Sequence, residues 1–282
     1  MKKKNIGRKS IFEILEEQYD FNKEFRKISH LFNCNMVRIN MYGYPIEMFV
    51  NNVFYEWKGR GSCVNCGDMR TELNIDTILK LQEPSQNDII LCLEYYSNIL
   101  YVFLTKWAPG ADTNCISKDI EILKTNLDLL IDHMNLTKQI VEDEEKVILI
   151  PKNPAATAVA EIAPKEIAFA ILKYNHASLK GQIEEKRKLL HSIANEYEDL
   201  LDHPITGFGD YFKTTRGLLN NLNIRHNNKS GKNKNALVQK MSKEELEKQY
   251  DELYQLLLFC VLTKENSERK KAADELLKRI KE

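Results

Sequence analysis

Proline and glycine are scarce in this sequence, seven and eleven in 282 residues. That argues against a turn-rich β architecture and for long regular elements. Net charge is missing too. Lysine and arginine number 41 and aspartate and glutamate 41, so any attraction to a polyanion has to come from a patch. No window reaches about eighteen apolar residues, the length of a membrane span. The richest, residues 89–107, is interrupted by Glu94, Ser97, Asn98 and Lys106 and reads as a core helix. Met1-Lys2-Lys3-Lys4 resembles the charged head of a signal peptide, but no uninterrupted apolar segment follows it. A cytoplasmic protein away from membranes is expected, its six cysteines reduced and mostly buried. Internal repeats and low-complexity tracts are absent.

Familiar catalytic and metal motifs are also lacking. Cys63-Val64-Asn65-Cys66 is a CxxC, but no second pair stands at metal spacing and no βαβ pattern surrounds it. Adventitious cysteines near a turn are the plainer reading, and no metal or cofactor is expected. The basic, glycine-flanked stretch Trp57-Lys58-Gly59-Arg60-Gly61-Ser62 lacks the lysine-serine end of a nucleotide loop.

Helical periodicity is present nearly everywhere. Ile46, Phe49, Val50, Val53, Phe54 and Trp57 make one apolar helix face after Pro45, stopped by Gly59 and Gly61. Ser85 can cap a helix reaching Trp107, and Ser117 precedes the next, with Ile120, Leu123, Leu127, Leu130 and Met134. Val147-Ile148-Leu149-Ile150 is a short β-prone run closed by prolines, and the domain boundary is placed near residue 145. The second half predicts helices from about Ala155 with a break at Pro164, then over residues 178–201 and 211–224. Ser242 with Glu245 forms a capping box for a further helix, followed by a separate charged one from about Ser267. The fold class is mainly α. A helical sensing or interaction domain spans residues 1–145, and a four- to five-helix bundle spans residues 146–282.

Residues 211–243 hold no carboxylate and eight fixed positive charges. At their centre lies Asn220-Asn221-Leu222-Asn223-Ile224-Arg225-His226-Asn227-Asn228, followed by Lys229, Lys232 and Lys234. A neutral protein that gathers cations around an Arg-His pair has a local place for an anion, a phosphate chain above all. Cleaving RNA without a metal needs a titrating group and a fixed cation, roles suited to His226 and Arg225. Asn221, Asn223, Asn227 and Asn228 can hold phosphate or base edges, and the three lysines supply sequence-independent attraction. The plain alternative is a helix end where cations meet the macrodipole and asparagines turn the chain. Arg187 with His191, beside Glu184 and Glu185, reads as an ion-paired surface. His176 reads as a helix end.

The run Leu-Leu-Asn-Asn-Leu-Asn-Ile-Arg-His-Asn-Asn between amphipathic helices resembles the C-terminal domains of bacterial abortive-infection proteins. Many of those belong to the HEPN class of helical RNases and nucleotide-binding domains. The resemblance covers roughly residues 155–265. It implies a HEPN-like bundle, a homodimer, a role in phage defence or as a toxin, and RNA cut by an arginine and a histidine between protomers. Arg225 and His226 are the matching positions. In that class several residues separate the pair, whereas here they adjoin, so binding without cleavage also stays open. Two functions are thus expected: an RNA-engaging effector acting as a metal-independent endoribonuclease, or a non-catalytic helical protein docking an acidic partner or nucleic acid.

Overall fold

The computed structural model describes residues 20–34, 37–39, 42–110, 118–226 and 235–281. It is mainly helical, with two small two-stranded sheets. The chain divides into two units. One comprises Met1–Asn135 with Ile140–Val147, the other Leu136–Gln139 with Ile148–Glu282.

The first unit begins with α1 (Phe21–Phe32), capped by the Asp20 carboxylate, which accepts from Lys23 N at 3.0 Å. Strands β1 (Val37–Ile39) and β2 (Tyr42–Tyr44) pair antiparallel, Val37 opposite Tyr44. Helix α2 (Ile46–Val53) buries Ile46, Phe49 and Val50. It ends sooner than its apolar face predicts, because the last turns tighten into 3-10 geometry that still buries Phe54 and Trp57. Short helices α3 (Cys66–Glu72) and α4 (Ile75–Ile78) lead to α5 (Gln86–Val102). There Ser85 caps the helix as predicted and, with Asp88, completes a capping box, extended by Ser85 Oγ donating to Asp88 at 2.7 Å.

A π turn over Phe103–Trp107 continues α5 and stacks Phe103 on Trp107 at 4.9 Å. Gln86–Trp107 is long and apolar enough to cross a membrane by composition, yet 61% of that window is buried inside the fold, as in a core helix. Helix α6 (Lys118–His133) buries Ile120, Leu123, Leu127 and Leu130.

The β-prone run becomes β4 (Lys146–Pro151), which pairs with β3 (Leu136–Val141). β3 is half polar and carries no strong strand signal. At the turn between them, Trp57 Nε1 donates to the Glu145 carbonyl at 2.5 Å. Asn98 of α5 meets β4 face on: its Nδ2 donates to Val147 O at 2.6 Å, and Val147 N donates to its Oδ1 at 2.8 Å.

The second unit packs α7 (Pro154–Ile162), α8 (Lys165–Tyr174), α9 (Ile183–Glu196), α10 (Glu198–Asp202), α11 (Gly209–Asn221) and α12 (Ala236–Lys240) around α13 (Lys243–Lys281). The helix expected over residues 178–201 starts later and breaks at Tyr197. The Ser242 and Glu245 capping box forms, with Glu245 N donating to Ser242 Oγ at 3.1 Å. The separate final helix is not observed. α13 runs 39 residues unbroken, because no proline or glycine interrupts residues 243–281. Leu246, Tyr250, Leu253, Tyr254, Leu257, Leu258, Cys260 and Val261 bury its first half, while every residue from Lys264 to Lys281 is at least partly exposed. Tyr254 stacks on Tyr174 at 4.2 Å and donates to the Ile171 carbonyl at 2.7 Å.

Candidate nucleic-acid interface

The basic segment opens on α11 and turns back immediately after it. Leu222 N donates to the Leu218 carbonyl at 2.8 Å, and Arg225 N to the Leu219 carbonyl at 3.1 Å. Asn223 makes the turn, with φ at 64°. Asparagine is the residue other than glycine that most readily takes this left-handed position after a helix. Leu222 and Ile224 on either side of it are buried. Asn223 is itself 8% exposed, and its side chain faces the Tyr250 hydroxyl. Burial pushes that hydroxyl up to about 12, Glu184 adding to it and Asn223 drawing it back. Asn221 is exposed, but its amide donates to the Gly217 carbonyl at 2.8 Å. Of the predicted asparagines, then, Asn223 is part of the fold and Asn221 lies at its surface.

Arg225 and His226 part company. The Arg225 side chain is only 10% exposed. Its Nη1 lies 3.5 Å from Glu198 Oε1 on α10, and its Nη2 donates to the Ala194 carbonyl of α9 at 3.4 Å. Among the described residues its Nε has no hydrogen-bond partner. His226 is exposed. The guanidinium thus closes the gap where α9 breaks into α10, and the imidazole stands in solvent. Nothing in residues 211–243 could announce Glu198 and Ala194 as partners, since they lie on elements that precede the segment.

Arg216 pairs with Asp202 at 3.1 Å. Lys213, Lys240 and Lys243 are exposed and make no ion pair among the described residues. Asn227, Asn228, Lys229, Lys232 and Lys234 lie outside the described residues.

The other candidates take structural places. Arg187 pairs with Glu184 at 2.8 Å and His191 meets Asn195 at 3.2 Å, a surface network. His176 does not end a helix: it lies just past the one that closes at Tyr174, and its ring accepts from Ser178 N at 3.2 Å, capping the start of the 3-10 turn Ala177–Leu179. Cys63 and Cys66 are buried free thiols. Burial, with Glu47 adding, pushes Cys66 up to about 12, opposite to the low value of a reactive or metal-binding thiol. Gly59 is required by packing: a side chain there would meet Trp57 Nε1 at 2.5 Å. Comparison with known protein families, characterised proteins and solved structures finds no match.

Proposed function

We propose that this chain is a cytoplasmic effector of the abortive-infection or toxin type that engages RNA through residues 211–243, by binding rather than by cutting. Its second unit would be a HEPN-like bundle acting as a homodimer, and its first unit a sensing or interaction domain. The observation that carries the reading is the carboxylate-free segment, whose described lysines Lys213, Lys240 and Lys243 are exposed with no ion pair among the described residues. Lys229, Lys232 and Lys234 would add to the same attraction, and Asn221, Asn227 and Asn228 would position the strand.

Binding is favoured over cleavage by the place of Arg225. Stabilising a pentacoordinate phosphate needs a guanidinium free to reach it, and this one is committed to Glu198 and Ala194. The second reading, metal-independent cleavage by Arg225 and His226, draws on the exposure of His226. It requires Arg225 to leave Glu198.

Incubating the purified chain with total RNA in EDTA separates the readings. Binding predicts intact RNA, retained with a log-log salt slope of about −2 to −4 from a few phosphate contacts. Cleavage lost in His226→Ala and in Arg225→Ala would replace the binding reading with the nuclease one. No retention even at low salt would remove RNA altogether.

A further inference from the structure

The second half of α13 carries a seam that its own bundle does not use. Phe259, Leu262, Ala273, Leu276 and Ile280 recur at alternating steps of three and four residues, with Asn266 and Arg269 in the two remaining places. That is the a/d spacing of a coiled coil, held over three heptads. Phe259, Leu276 and Ile280 are 38, 57 and 70% exposed, and Leu277 beside the seam is 51% exposed.

The seam does not continue the face that holds α13 in the bundle. At 3.6 residues per turn it lies about 140° around the helix from Tyr250, Leu253, Leu257 and Val261. The positions that do continue the bundle face are Lys264, Glu268, Lys271 and Glu275, all charged and exposed. Bending the helix back onto its own bundle would bury those charges and leave the apolar stripe in water. Cover for the stripe therefore comes from outside the unit. At its base Tyr211 backs Phe259, ring centroids 4.8 Å apart.

We infer that this stem pairs with the same helix of a second copy, parallel and in register, as a two-stranded coiled coil. Charge selects that occupant. In a parallel pair the residue before each a position faces the residue five places on in the other helix. Glu265 thus meets Lys270 of the second copy, twice by symmetry, and Ala272 meets Leu277. Asn266 falls opposite Asn266, the polar a-position pairing that fixes register. An antiparallel pair sets a against d positions, so Asn266 would lose that partner.

The one unfavourable meeting is Arg269 with Arg269, and Glu265 of the same helix neutralises each at 3.0 Å. Lys270 already holds Asp274 at 2.7 Å, and an ammonium with three donors can serve both carboxylates. A polyanion laid on the seam would instead meet Glu265 as a like charge. The pairing goes beyond the RNA reading and supplies the homodimer named there with a surface.

Sedimentation equilibrium of the full chain is the test. A dimer is expected, and Leu276→Asp should raise its dissociation constant at least about 100-fold, since the change acts once in each copy. The thermal transition of the body should not move. Glu265→Lys should weaken the dimer, and adding Lys270→Glu should restore it. Within one helix that double change sets like charges against Arg269 and Asp274, so only the contact between copies can gain. Oxidised Asn266→Cys should cross-link to its counterpart, and trypsin should nick the stem less as chain concentration rises. A monomer at every concentration overturns the pairing and the homodimer together, with RNA retention judged separately. A dimer indifferent to Leu276→Asp and Ile280→Asp overturns the stem alone and leaves the homodimer to the bundle. A stem-dependent dimer that Asn266→Cys does not cross-link overturns the parallel arrangement.

Discussion

Lys186 on α9 and Glu247 on α13 meet at 2.8 Å, with 9% of the lysine side chain and 16% of the glutamate side chain exposed. The same ammonium reaches Asp251 at 2.8 Å and lies 5.3 Å from the centre of the Tyr174 ring, whose hydroxyl donates to Asp251 at 3.0 Å. Glu247 further accepts from Gly181 N at 2.9 Å. A buried lysine in a helical bundle is expensive unless it is paired and hydrogen-bonded, and here it is both.

Removing the ammonium would strand Glu247. Lys186→Ala is expected to lower stability by about 3 kcal/mol, the range for breaking a buried pair. The midpoint of a urea transition measures this directly. A change under about 0.5 kcal/mol would mean that the contact is incidental.

The same cluster gives a pH dependence. Burial tends to raise the Glu247 carboxyl, but Lys186, the Gly181 N–H and Lys180 outweigh it and hold it below the ordinary 4.5. A carboxylate depressed on folding stabilises the native state above its unfolded pKa. That contribution is lost as pH falls through the lower folded value. Stability should therefore decline from about pH 4.5 downward, and Glu247→Gln should flatten the decline while lowering stability at neutral pH. An unchanged acid limb in the variant would assign the acid sensitivity elsewhere.

Asn98 is 9% exposed and satisfies both backbone groups of Val147. Asn98→Ala leaves a buried N–H and a buried carbonyl without partners, at about 1–3 kcal/mol for each group left unsatisfied. Faster hydrogen exchange of the Val147 amide is the specific readout. Asn98→Asp keeps the acceptor and loses the donor, so the carbonyl is stranded beside a carboxylate and no rescue is expected.

Arg225 and His226 should separate in a stability assay. Arg225→Ala removes the contacts to Glu198 and Ala194 and should cost about 1–2 kcal/mol, whereas His226→Ala should stay within about 0.5 kcal/mol. Equal and negligible effects would return Arg225 to the surface as a free cation.

What could be read in advance followed local chemistry. Ser85, Pro164 and the Ser242–Glu245 pair act within a few residues of themselves, and all three stand where the sequence put them. β3 was hidden because Leu136-Thr137-Lys138-Gln139-Ile140-Val141 carries polar residues at its centre and draws its order from β4. The break at Tyr197 was hidden for another reason: helical periodicity continues through it, and only the packing of α10 shows it. The asparagine cluster was visible as a turn, but φ at Asn223 and the inward course of Arg225 depend on Tyr250, Ala194 and Glu198, far along the chain. The pairing of Tyr211 with Phe259 is of the same kind, since neither residue is remarkable in its own segment.

Helix α13 is about 58 Å long at 1.5 Å per residue, and only its first half is anchored. Beyond Thr263 its order rests on local pairs such as Glu265 with Arg269 at 3.0 Å and Lys270 with Asp274 at 2.7 Å, each contributing a few tenths of a kcal/mol. A stem of that kind frays on warming while the body stays folded. Limited proteolysis should nick it near its lysines and arginines first and leave the bundle whole.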